Sequence, residues 1–159
     1  MLFSCWNFHI STFRNYPDAF HRLEKELQPL PDSVKKLIEE KTYANLATLM
    51  PDGSPHVVIT WVDHDGDTIL INTNEGSQKY RNAKRNPKVA LDVIDTTNPF
   101  RAAFIRGRVK EVTFDGADEH IDKLAKKYLG VDKYQGRIPG VRRVLIKIDP
   151  TRVRPPRGS

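Results

Sequence analysis

Between Tyr43 and Asn74 three β-type runs follow one another with almost nothing between them: YANLATLM, HVVITWV and TILINTN, joined by PDGSP and DHDGD. Spacers this short admit only antiparallel neighbours, because a parallel return needs a crossover of about a dozen residues or more. Pro51 presets one turn, and the Asp65-Gly66 pair is a hairpin signal. A bare meander is not stable alone and needs further strands or a helical cover. The remaining chain offers both. KVALDVID alternates Val89, Leu91 and Val93 against Ala90, Asp92 and Ile94, and FRAAFIRGRVKEVT (100–113) reads as a long strand with a bulge or bend at Gly107. VRRVLIKID sets Val144, Ile146 and Ile148 on one face.

Two helices accompany the strands. Asp32 or Ser33 can cap the first, whose Val34, Leu37 and Ile38 stand at i, i+3 and i+4. The second, GADEHIDKLAKKYLG, carries a stripe of Ile121, Leu124, Ala125, Tyr128 and Leu129 and leaves His120 on the exposed side. Six strands with two or three helices predict a mainly β (α+β) domain, a small antiparallel barrel with flanking helices. Residues 1–30 read as an N-terminal extension with a short helix around 18–28. Residues 31–154 form the domain and 155–159 a tail, PTRVRPPRGS being unable to pack by itself. No internal repeat is visible.

A chain of 159 residues buries roughly 70% of its unfolded surface, so it needs neither disulfide nor metal to fold. Cys5 is the sole cysteine, which agrees with a reducing compartment. The opening MLFSCWNFHISTFR places its first positive charge, Arg14, after the apolar residues, the reverse of a secretory signal. No 18-residue apolar run occurs. A cytoplasmic protein without membrane spans is expected.

The formal charge of +6 is unevenly placed. Residues 71–88 hold five basic side chains against Glu75, and residues 137–159 hold seven against Asp149. The rest of the chain is net acidic, so the basicity points to a localised anionic ligand or a nucleic-acid patch. The segment INTNEGSQKYRNAKRNP frames the choice. Ser77, just after Gly76, stands where an N-cap belongs, and the unpaired N–H groups of the first turn with the helix dipole make a natural anion site. Lys79 lies in that turn. Taken by itself, the segment reads first as a capped, solvated basic helix ended by Asn86-Pro87, since charge runs are usually solvated faces.

No side-chain catalyst emerges. His56 begins a strand, His64 lies in a polar hairpin, and no serine or cysteine stands in a nucleophile motif. Carboxylates are spread over turns and helix surfaces; the hairpin accounts for Asp63, Asp65 and Asp67. No metal-ligand spacing is present. Trp61 and Phe100 read as partly core. An anion site without an acid–base constellation suits an enzyme whose cofactor carries the chemistry.

From about Leu30 to Arg154 the sequence resembles the flavin and deazaflavin reductases of the pyridoxamine-phosphate-oxidase-like split β-barrel superfamily. LATLMPDGSPHVVITWV, ILINTNEGSQKYRNAKRNPKVALDV and NPFRAAFIRGRV carry the resemblance; ADEHIDKLAKKYLG and RRVLIKIDPTRVR are similar to the deazaflavin-using branch. The resemblance implies a six-stranded split barrel, a homodimer and two cofactor sites at its interface. It places the cofactor ring along the backbone of Val57, Val58, Ile59, Thr60 and Trp61. It sets Asn72 and Thr73 at the ring or ribityl chain, Ser77, Gln78 and Lys79 at the phosphate, and Phe100 and Arg101 on a loop reaching over from the partner subunit. Family members that use flavin mononucleotide (FMN) typically carry cations at the positions of His56 and Trp61. Their loss weakens a phosphomonoester clamp and favours coenzyme F-420, whose phosphodiester leads into an anionic tail, with FMN as the alternative. The implied function is hydride transfer between that cofactor and a small unsaturated or electron-poor substrate. A cofactor carrier of the same fold shares every one of these residues. A nucleic-acid-binding barrel is disfavoured, since the strands lack closely spaced exposed aromatics for stacking bases.

Overall fold

The computed structural model describes residues 27–157. In chain order the elements are α1 (Asp32–Glu39), β1 (Tyr43–Leu49), β2 (Pro55–Thr60), β3 (Asp63–Asp65), β4 (Thr68–Asn74), α2 (Gln78–Arg85), β5 (Lys88–Ile94), β6 (Ala102–Thr113), α3 (Ala117–Leu129) and β7 (Arg143–Arg154). The strands form one sheet in the order β2-β1-β5-β6-β7-β4-β3, antiparallel throughout. Both flanks of that sheet feed one core. Leu46, Leu91 and Ile105 meet Ile71, Ile146 and Ile148 from the far side, and Val34, Leu37 and Ile38 of α1 are buried among them. This is the expected mainly β barrel with flanking helices, built from seven strands rather than six.

The extra strand, β3, comes from the hairpin. Asp63, His64 and Asp65 pair with Leu70, Ile69 and Thr68, so polar residues that signal a turn also extend the sheet. The sheet also runs further at the C-terminal end. β6 has twelve residues, long enough to pair β7 as far as Arg154. Register shifts at Arg106/Gly107 and Val109/Glu111 absorb Pro150, which has no N–H to give to the ladder. Residues 150–154 therefore pack, and Pro156 is buried.

The domain also begins earlier than residue 31. The Gln28 backbone N–H donates to the Pro150 carbonyl (2.9 Å), the Val153 N–H donates to Gln28 Oε1 (2.7 Å), and Leu30 is buried in the core. The helix expected around 18–28 falls almost wholly outside the described residues. In α1 neither Asp32 nor Ser33 caps; Pro31 holds the cap position without a side-chain hydrogen bond, and its carbonyl accepts from Val34 and Lys35.

Two faces of the sheet differ in cover. In β1 and β5 every second residue is buried and the intervening ones are half-buried or exposed. In β4 the five central residues are all buried, because α3 lies on the outside there: Ala117 packs with Leu70 and Leu145. The outer face of β2, β1, β5 and β6 has no such helix among the described residues.

Candidate functional site

The strand β4 ends at Asn74, and Gly76 reverses the chain with φ 76°, a left-handed value that favours glycine. Ser77 then caps α2: its Oγ accepts from the Tyr80 N–H (3.3 Å) and lies 2.9 Å from Thr73 Oγ1. The predicted N-cap is present. No acid occupies the first turn of α2, and Glu75 beside it is engaged by Arg142, whose Nε and Nη2 each donate to its carboxylate at 2.9 Å. The positive end of the helix dipole is therefore left without an internal counter-charge.

Two half-desolvated cations converge on this region. Burial holds Lys79 below its ordinary pKa, and the neighbouring Arg143 charge lowers it further. Lys79 forms no ion pair among the described residues. Arg143, itself lowered by burial, is buried and lies over the Tyr134 ring. Its guanidinium donates to the side-chain carbonyls of Asn72 and Asn74, not to a carboxylate. Buried cations lacking an anionic partner are costly unless an anion arrives. Arg143 went unnoticed in the sequence because it sits in a basic run; its signal is the register that sets it opposite Asn74.

The structure gives several expected ligand residues internal partners. Asn72 is buried and donates to the Ala117 carbonyl (2.7 Å) and toward His120 Nδ1 (3.2 Å), while its oxygen accepts from Arg143. Gln78 donates to Asn82 Oδ1 (2.8 Å) and accepts from Arg81 (2.7 Å). Trp61 stacks on Tyr128 (4.9 Å, 2° between planes) and meets Tyr134 edge-on, so the partly core reading of its ring holds. Arg101 forms a two-pronged pair with Glu40 and a third bond to Asp95. Its hydrogen bonds to these two acids raise its pKa and fix the loop to the end of α1. Phe100 departs from the core reading altogether: it is 90% exposed at the tip of that loop.

β2 is an edge strand, so half of its backbone N–H and C=O groups point away from β1. Val57 and Ile59 turn outward, and Val58 and Thr60 are half-buried. His56 Nδ1 is buried and lacks a hydrogen-bond partner. The edge thus offers backbone donors and one orphaned ring nitrogen. α2 is held close by: buried Asn82 donates to Thr48 Oγ1 of β1 (3.0 Å), and Arg85 donates to the Leu49 carbonyl.

A second polar group escaped the sequence reading. His120 is buried, not exposed, and lies 3.4 Å from Asp63 Oδ2. Burial pushes Asp63 up, but hydrogen bonding by His120 and Lys123 outweighs it and leaves the carboxyl well below the usual range. Ala117, His120, Ile121 and Leu124 share the buried stripe; helical phase places His120 there, and Leu129, expected inside, is exposed. This group ties α3 to β3 and β4.

Comparison with known proteins agrees with these features. Residues 30–155 match the family model for pyridoxamine 5'-phosphate oxidase. The chain is 31% identical over 127 residues to an F420H(2)-dependent biliverdin reductase of Mycobacterium tuberculosis, covering 78% of this chain and 86% of that protein. A solved F420 reductase superposes with TM-score 0.67 at 35% identity, covering 79% of this chain and 98% of the other. HupZ of Group A Streptococcus, at 24% identity, shares the fold with TM-score 0.58 over 78% of this chain and 91% of its own. With the match running from Leu30 through β7, the chain belongs to the pyridoxamine 5'-phosphate oxidase family.

Proposed function

We propose that the protein is an oxidoreductase that uses coenzyme F-420, with FMN as the alternative, and passes a hydride between the bound cofactor and a small unsaturated or electron-poor substrate. One observation carries the reading: the capped, acid-free head of α2 lies beside Lys79 and Arg143, neither of which has a carboxylate partner among the described residues. That is a phosphate-binding environment. The resemblance to an F420 reductase and to an F420H(2)-dependent reductase supports a deazaflavin in particular. So does Trp61, where an uncharged ring packed on Tyr128 stands in place of a clamp cation.

The cofactor supplies the hydride chemistry when bound. The chain's own groups hold and orient. First-turn N–H groups of α2 and the Lys79 ammonium take the phosphate, while Arg143 adds long-range positive potential and keeps Asn72 and Asn74 in place. Backbone N–H groups at the β2 edge around Val58–Thr60 would hold the ring of the cofactor and favour negative charge on it. No step requires a side-chain acid; solvent supplies the proton. His56 is a ring neighbour whose loss is expected to slow turnover only modestly.

The test is an anaerobic titration of the purified protein with reduced F-420 and reduced FMN, followed by a panel of conjugated acceptors that includes biliverdin. Binding of the deazaflavin with reoxidation on adding an acceptor is the expected result. Binding without turnover on any acceptor would make the protein a carrier, and no spectral response to either cofactor would remove the reading.

A further inference from the structure

Residues 130–142, between α3 and β7, form the longest connection among the described residues. A connection of this length without secondary structure is uncommon in a compact domain and usually serves a site. From Val131 to Arg142 every residue is exposed except Tyr134, which is half-buried. Apolar packing therefore contributes little to the order of this loop. Asp122, near the middle of α3, holds it instead. Its side chain is only 12% exposed, and its carboxylate accepts from Arg137 Nη1, the Tyr134 backbone N–H and Lys133 Nζ, each at 2.9 Å. Those bonds, Arg137 first, hold the carboxyl well below its usual range. Arg137 also donates to the Tyr134 carbonyl (2.9 Å) and to Asp118 Oδ1 (3.3 Å). Most of these bonds converge on the two peptide groups of one residue, Tyr134.

The pinned residue sets its ring between two parts of the candidate site. The ring meets the Trp61 indole edge-on, with 5.7 Å between centroids and 79° between planes. The Arg143 guanidinium lies 5.4 Å from the same ring. Trp61 follows β2, the strand proposed to seat the cofactor ring. Arg143 stands opposite Asn74 beside the head of α2, the proposed seat of the phosphate. Arg143 has only the Asn72 and Asn74 side-chain carbonyls as hydrogen-bond acceptors, so an aromatic face is a further constraint on where its charge sits. Gly136 runs against the phenol: a Cβ there would stand 2.5 Å from the Tyr134 hydroxyl oxygen and would push the ring away. The phenol hydroxyl has no hydrogen bond among the described residues, which leaves the ring as the part that makes the contacts.

We infer that Tyr134 is a positioning residue of the anion site: its ring fixes Arg143 beside the head of α2 and Trp61 at the end of β2, and Asp122 holds that ring in place. The inference rests on the oxidoreductase reading for the identity of the anion, but the position of Arg143 can be measured without any cofactor. The first readout is the Arg143 Nε–H in the NMR spectrum of the isotope-labelled, full-length protein. This proton is buried and bonded to Asn72 Oδ1 (2.8 Å). It is expected to exchange slowly with water in the wild type and in Tyr134→Phe, which keeps the ring, and at least tenfold faster in Tyr134→Leu and Asp122→Asn. Unchanged exchange in Tyr134→Leu overturns the inference. Fast exchange in Tyr134→Phe also overturns it, by giving the role to the hydroxyl. Should Tyr134→Leu not fold, Asp122→Asn on the helix surface carries the same two outcomes.

The second readout is anion affinity. Inorganic pyrophosphate, titrated by calorimetry, and F-420, titrated by fluorescence, are both expected to bind at least tenfold more weakly to Tyr134→Leu and Asp122→Asn than to the wild type, with Tyr134→Phe close to the wild type. Rescue by phenylalanine separates positioning from a general loss of packing. Faster Arg143 exchange with both affinities unchanged would make the ring a packing contact alone and overturn the inference. Lys79→Ala supplies the contrast: it is expected to weaken both anions and leave the Arg143 exchange rate as in the wild type. A wild type that binds pyrophosphate but neither F-420 nor FMN, with the loss still seen in the variants, supports the positioning role and removes only the cofactor reading. A wild type that binds none of the three overturns both.

Discussion

Lys79 is the residue on which cofactor affinity should turn. Half-buried, held below its usual pKa by desolvation and by Arg143, it gains most when an anion arrives. Lys79→Ala is expected to weaken cofactor binding by about 1–3 kcal/mol, the range for a charge-assisted hydrogen bond, in a fluorescence titration. Affinity of the wild type should fall as pH rises through the lowered Lys79 pKa, and that trend should vanish in the variant. Unchanged affinity would leave Lys79 as a surface charge. Lys127 gives a test of stability instead. Burial moves it from 10.5 to about 8, with Asp63 opposing and Lys123 adding to the shift, while its ammonium donates to the Ile38 and Val62 carbonyls. The unfolded chain keeps this proton until about pH 10.5, so between about pH 8 and 10.5 the unfolded state binds more protons and stability rises with pH. Denaturant midpoints at pH 8 and pH 10 should show this gain in the wild type relative to Lys127→Met. A difference between the two proteins that does not change with pH would refute it.

At the scale of elements, the long β6–β7 pair carries the architecture. Gly107 lies at its bulge, where an added Cβ would stand 2.6 Å from Ile148 Cγ2 and 2.9 Å from the Asp149 carbonyl oxygen. Backbone cannot yield there as a side chain can. Gly107→Ala should therefore destabilise by about 1–3 kcal/mol, as overpacking does, seen as a lowered urea midpoint; an unchanged midpoint would show that the strand pair is looser than its register implies. The same bulge was legible in the sequence, because a glycine inside an alternating strand weakens it and so marks a bulge, a bend or a close backbone approach. β3 was not legible: Asp63 and His64 have the composition of a turn, and only pairing with Leu70 and Ile69 makes them a strand. In α2, Ser77 could be read as the cap, yet the face that packs is Asn82 and Ala83. A buried asparagine bonded to Thr48 carries no hydrophobic signal.

For the whole molecule, the bare half-sheet sets the expected assembly. Val57, Ile59 and Phe104 stand exposed on it, with Tyr43 at its margin and Phe100 on the adjoining loop, 90% exposed. Large apolar side chains exposed together on one sheet face mark a partner site, and the proposed partner is a second copy, with each Phe100 loop reaching across the interface. Light scattering should report a dimer for the wild type and a shift toward monomer for Ile59→Lys. A stable wild-type monomer that binds cofactor would contradict the proposal. Among the described residues no helix is long and apolar enough to cross a membrane.

What the sequence determined by itself is whatever local chemistry dictates: the antiparallel meander, because its connections are too short for any other pairing, the capped α2, and the alternation that sends Leu46, Leu91 and Ile105 inward. What the tertiary structure decided are the meetings across long stretches of chain. Arg143 reaches Asn72 and joins Lys79 at one helix head, His120 and Asp63 are buried together, and Tyr134 lies between Trp61 and Arg143. No local pattern encodes such meetings, since each depends on the register of strands far apart in sequence, and register is fixed only when the core packs.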